Sequence, residues 1–137
     1  MHTFKAPVIK GVLAIAISPD GSMAVCAGMD DDHYIAVLDL HKNAVLAKQK
    51  GGKKVILKMG WVNENSFVGI GINNFKMWTY AGGTVKAKDS RTRGNFVSLA
   101  IGKNKVLTGE SSGKIHSWTG TESKLVKQLK VTQMNGK

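Results

Sequence analysis

The residues best suited to chemistry in this 137-residue chain are few, and each sits in a context that narrows its use. Asp30-Asp31-Asp32-His33 concentrates three carboxylates and an imidazole, donor types that hold divalent cations. The same run is also what a β-turn needs, with short aspartates capping backbone groups and His33 helping. No glutamate follows at the EF-hand spacing, so the turn reading is preferred and no metal is expected. Gly69-Ile70-Gly71 resembles a phosphate loop in composition, yet it lies in an apolar strand with neither a following helix nor a P-loop lysine. None of the scattered Ser, His and Asp residues stands in a nucleophile context such as GxSxG. His116 precedes Trp118 by two residues in a strand, where a polar contact within the fold is expected; His2 and His41 are expected at the surface. Cys26 is the only cysteine, which excludes a disulfide framework and a CxxC metal site. Its apolar surroundings, Met23–Ala27, predict a buried structural thiol. No catalytic constellation emerges, and no cofactor is expected.

The charge is more informative. Lys and Arg number 20 against 9 Asp and Glu, a formal net charge of +11. Such a balance favours acidic partners: nucleic acid, anionic headgroups or an acidic protein surface. Lys48, Lys50, Lys53 and Lys54 flank Gly51-Gly52, and Lys86, Lys88, Arg91 and Arg93 form a second cluster. The plain alternative is a set of solvated lysines that keep the chain soluble. With 42% hydrophobic residues there is enough apolar material for a core, and 16 Gly against 2 Pro suits short strands joined by tight turns. The start, MHTFKAPVIKG, lacks the apolar stretch of a signal peptide, and no run approaches the roughly 18 residues that span a bilayer. A soluble intracellular protein with no membrane partner is the expectation.

The elements that position these residues repeat. Tyr34–Leu40, Phe75–Thr79 and Ile115–Thr119 are similar strands whose large residues, Leu38, Trp78 and Trp118, are spaced by 40. Before them come Val12–Ile17, Val55–Trp61 and Phe96–Ile101, then a polar turn such as Ser18-Pro19-Asp20-Gly21, then apolar strands ending in glycine: Met23–Gly28, Phe67–Gly71 and Val106–Gly109. Weaker fourth strands are expected near Ala44–Lys50, Thr84–Lys88 and Lys124–Leu129. Four short strands per 40 residues, with an aromatic late in the third, predict an all-β protein of WD40-type β-propeller blades. A β-sandwich would not impose a fixed recurrence.

Three antiparallel blades are expected, at about 8–52, 53–93 and 94–130. The inner strands read as nearly continuous apolar runs, as in sheets packed on both faces. Propellers close with about 4–8 blades, so three leave two apolar faces uncovered. Either the chain is part of a longer propeller or it completes one by self-association, two copies supplying six blades. The ending VTQMNGK offers no evident capping strand, which favours the first reading. Successive connections of one type emerge on one face of a propeller. Lys50, Lys53, Lys54, Lys88, Arg91 and Arg93 are therefore expected to share a basic partner-binding surface.

The segment Gly28-Met29-Asp30-Asp31-Asp32-His33-Tyr34-Ile35-Ala36-Val37-Leu38-Asp39-Leu40 resembles blades of the echinoderm microtubule-associated protein-like (EMAP-like) family. In that family a Gly-x-Asp-Asp-Asp-His loop leads into a Val-Trp-Asp strand. Gly69–Trp78 with Ala81-Gly82-Gly83, and Thr108–Trp118, resemble the next two blades in order. Leu38 stands where the family has Trp, with Asp39 after it. The resemblance implies a non-catalytic, cytoskeletal scaffold associated with tubulin or microtubules in the cytoplasm. A WD-repeat module of a nucleic-acid-associated complex is the alternative, carried by the charge; the three tryptophans sit at core positions rather than on an exposed stacking surface.

Overall fold

The computed structural model describes residues 11–103 and 105–128. Twelve strands in this span form three four-stranded antiparallel sheets, and there is no helix among the described residues. The first sheet holds β1 (Val12–Ile17), β2 (Met23–Gly28), β3 (Ile35–Asp39) and β4 (Ala44–Gln49), in that order. The second holds β5 (Lys58–Trp61), β6 (Ser66–Gly71), β7 (Asn74–Ala81) and β8 (Thr84–Asp89); the third holds β9 (Phe96–Gly102), β10 (Lys105–Glu110), β11 (Lys114–Thr119) and β12 (Glu122–Gln128). Each sheet is a meander, so neighbours in sequence are neighbours in space. Residues 8–10 and 129–130 of the expected blades, His2 and the final VTQMNGK lie outside the described residues.

The turns follow their chemistry. In the β1–β2 turn, Gly21 takes φ 78° and its N–H donates to Ser18 O. Asp20 Oδ1 accepts from Ser18 Oγ, Ser22 N–H and Ser22 Oγ at 2.9, 2.9 and 2.6 Å. One carboxylate thus closes the turn that Pro19 begins.

Two seams hold the sheets together. In the first, Val25, Ile35 and Val37 meet Ile56, Phe67 and Trp78; in the second, Val68, Ile70 and Phe75 meet Phe96, Val106 and Trp118. Trp118 stacks on Phe75 with ring centroids 3.5 Å apart. Burying a large apolar side chain stabilises by about 1.5–3 kcal/mol, so these seams are the core.

The first strands of the sheets lie against one another, β1 on β5 and β5 on β9. Cross-strand register makes Ile17, Trp61 and Ile101 equivalent, as it does Ala16, Gly60 and Ala100. The larger set points to the preceding sheet and the smaller set to the following one. Trp61 Nε1–H donates to Ala16 O at 3.0 Å, and a Cβ on Gly60 would overlap Ile101 Cδ1. Each seam is a large residue seated on a small one.

Two expectations need correction. The strand expected over Val55–Trp61 begins at Lys58. Val55 O instead accepts from Asn74 Nδ2 and lies so close to Gly71 that no Cβ would fit, so a side chain replaces the ladder there. The first strands are also not buried on both faces throughout. Ile15 and Ile17 are 64% and 63% exposed, because no sheet among the described residues covers the outer faces of the first and third sheets. The strands buried along both faces are β2, β3 and β6.

Candidate interaction surface

The connection 50–57 leaves β4 and reaches the β6–β7 turn: Leu57 N–H donates to Ile70 O, and Asn74 Nδ2 to Val55 O. The connection 90–95 reaches the same turn from the other side, with Asn73 N–H donating to Asn95 Oδ1 at 3.2 Å. Ser111 N–H donates to Asn95 O, which brings in the β10–β11 turn as well. Both basic connections therefore emerge at one end of the molecule, together with the turns after β2, β6 and β10.

The cations there are not equivalent. Lys53 Nζ donates to Asp32 Oδ1, and Lys50 Nζ lies 3.8 Å from Asp32 Oδ2. The hydrogen bond from Lys53 holds the Asp32 carboxyl below the usual carboxylate range and raises the Lys53 ammonium in turn. Asp32 O also accepts from the N–H groups of Gly51 and Gly52. Asp32 is thus a clasp between the β2–β3 turn and the first connection, and it engages two of the expected partner-binding lysines. Lys54, Lys88, Arg91 and Arg93 are exposed, and none forms an ion pair among the described residues. A hollow of about 360 Å³ opens beside Lys53 and Lys54, walled by Asn74, Lys76 and Asp89.

Lys76 belongs to this end and was not singled out for charge by its sequence context. Its Nζ donates to Gly51 O at 2.8 Å and lies 3.4 Å from Asp89 Oδ1, with the Trp78 ring beneath. A lysine within a strand, two residues before a core tryptophan, is the signal that marks it. Lys48 covers the Tyr34 ring, and Lys86 is exposed on β8.

The Asp30–His33 run forms a capped turn. His33, at φ 46°, donates its N–H to Asp30 O, and its Nδ1 lies 3.2 Å from Gly28 O. Among the described residues no group of three or more His, Cys, Asp or Glu is placed to hold a metal. His116 makes the expected polar contact: Nε2 lies 3.0 Å from Glu110 Oε2, and Ser112 Oγ donates to Glu110 Oε1. The carboxylate stands between the imidazole and the hydroxyl, so His116 does not activate Ser112 as a base would. Cys26 is buried, and desolvation pushes its thiol up.

The repeat positions are structural. Trp78 and Trp118 are buried in the two seams, and Trp118 Nε1–H donates to Thr108 Oγ1 at 2.8 Å. Leu38 is buried with Cys26 and Ala36 on the other face of the first sheet. Asp39 Oδ1 accepts from Lys42 and His41 N–H at 2.9 Å each, closing the β3–β4 turn and lowering its own pKa.

Sheet order, register and seams together define three WD40-type β-propeller blades. The chain is similar in structure to the Cps50 (Swd1) β-propeller domain of Myceliophteria thermophila, with a TM-score of 0.73 and 9% identity over 88% of this chain and 42% of that one. It is also similar to the C-terminal WD40 domain of Sif2, with a TM-score of 0.62 and 14% identity over 80% of this chain and 32% of that one. The chain thus spans less than half the length of either propeller. No family model matches it.

Proposed function

We propose that this chain is a non-catalytic protein-interaction module that presents the end bearing connections 50–57 and 90–95 to an acidic protein surface. The observation that carries this reading is the convergence of both basic connections on the Asn73-Asn74 turn, with Lys54, Arg91 and Arg93 exposed and unpaired among the described residues. A carboxylate-rich segment such as the tail of tubulin has the complementary chemistry. The EMAP-like resemblance of the Gly28–Leu40, Gly69–Trp78 and Thr108–Trp118 segments supports a microtubule-associated role in the cytoplasm and its cytoskeleton. Lys50 and Lys53 serve this surface indirectly, by holding the first connection against Asp32.

Microtubule co-pelleting tests the reading. Combined Lys54→Glu, Arg91→Glu and Arg93→Glu substitution is expected to weaken binding at least about tenfold. Lys42→Glu, in the β3–β4 turn at the opposite end, should leave it unchanged. Pelleting that ignores the triple reversal would reject the surface. RNA binding with a steep salt slope and no pelleting would replace this reading with the nucleic-acid one.

A further inference from the structure

Large apolar side chains that remain exposed are not spread evenly. Of eleven among the described residues, nine lie on strands of the first and third sheets and none on a strand of the second. Met29 and Ile72, the other two, sit in turns. The middle sheet is satisfied by its neighbours. On the outer face of the first sheet Cys26, Ala36 and Leu38 are buried while Ile15 and Ile17 of β1 are bare, and the outer face of the third sheet is open at Ala100 and Leu107.

The unsatisfied sides match one another. Ile17 is the equivalent of Trp61 and Ile101, the large residues that seat on a preceding sheet, and it has no seat. Ala100 is the equivalent of Ala16 and Gly60, the small residues that receive them, and it is exposed, with no large apolar partner seated on it among the described residues. An apolar hollow of about 200 Å³ lies there, walled by Ser98, Ala100, Leu107, Gly109 and Ile115. The two outer sheets also differ in overall charge. Residues 12–49 hold five carboxylates and two lysines, a net −3, and residues 96–128 five lysines and two carboxylates, a net +3, although the acidic residues of the first span lie in turns and at a strand end.

We propose that the outer face of the third sheet receives the outer face of the first sheet from a second copy of this chain, with Ile17 seated on Ala100 and Ile15 beside Ser98. The contact is head-to-tail, and two such contacts close a pair into a ring of six sheets. The new seam repeats the register of the two internal ones. This surface is separate from the loop end assigned above, so either assignment can fail without the other.

Size exclusion with light scattering on the full chain at micromolar concentration is expected to give twice the 14.7 kDa chain mass. Ile17→Lys or Ala100→Arg should weaken pairing by about 100-fold or more, because each buries a charge without a partner. Far-ultraviolet circular dichroism verifies that the sheets persist. Should either charged variant fail to fold, a mixture of singly substituted Ile17→Cys and Ala100→Cys chains still decides the matter. On oxidation it is expected to form a disulfide-linked pair containing one chain of each kind, while neither variant alone does so and the native thiol stays buried. A wild-type chain that remains single at 100 times the working concentration would overturn the proposal, and its outer faces would then belong to blades supplied by a longer chain. Pairing that survives both charged substitutions, or cross-links formed without regard to partner, would overturn it too.

Discussion

Asp20 does more than its exposed position suggests. Its carboxylate accepts from both Ser22 groups and from Ser18, and these bonds, the Ser22 hydroxyl foremost, lower its pKa from 3.8 to about 2. A carboxyl whose folded pKa lies below its unfolded one contributes stability above the unfolded value and loses it as pH falls through the folded one. The contribution of this turn is therefore complete above about pH 4 and gone near pH 2. Asp20→Asn should flatten the acid limb of the stability curve between those limits, as read by urea midpoints from pH 2 to 5. Glu64 shifts the other way, raised by desolvation and then by Asp20, and so contributes in the opposite sense as it titrates. At this scale the sequence was readable where partners are near in the chain, as in the Ser-Pro-Asp-Gly turn. It was silent on Asp32 with Lys53 and on Lys76 with Gly51, which meet only because the connection folds back across a seam.

At the scale of strands, glycine marks where sheets approach. Gly60→Val would drive a side chain into the space that Ile101 Cδ1 and Leu99 Cδ2 now fill and should cost about 1–3 kcal/mol in urea unfolding. Gly82→Ala is a poor control because its φ of 56° imposes its own strain; Gly102, with open space around it and no such φ, is the better one. The 40-residue spacing of Leu38, Trp78 and Trp118 aligned the third strands correctly, and the three sheets were legible from it. The second strands are harder. Counting by 40 pairs Thr108 with Val68, whereas the ladders make Gly69 its equivalent, because the β6–β7 turn is one residue shorter than the β10–β11 turn. The equivalent of Thr108 is therefore a glycine, so the buried Trp78 Nε1 has no acceptor among the described residues while Trp118 has Thr108. A hydroxyl cannot be added at Gly69, since its Cβ would strike the Trp78 ring.

Across the whole molecule, charge is segregated. Residues 50–95 carry nine cations against two carboxylates, while the first sheet is net acidic. The binding proposed at the loop end would be mainly electrostatic, whereas the pairing proposed at the outer faces would rest chiefly on apolar burial. Raising salt from about 50 to 300 mM should therefore weaken acidic-peptide binding several-fold and leave the paired mass nearly unchanged. Fluorescence anisotropy and light scattering on one sample series would separate the two. The basic clusters were visible in the sequence, but their division into clasped and free cations was not, because it depends on where Asp32 falls in space.

The seating of Trp61 on Ala16 has an optical consequence. Its indole lies in the first seam with its N–H held by a backbone carbonyl, whereas that of Trp118 lies in the second, stacked on Phe75. Each seam thus contains its own fluorophore in a different electronic environment. With Trp78 and one of the other two replaced by Phe, emission would follow the parting of a single seam, so the separation of one sheet could be timed independently of the other.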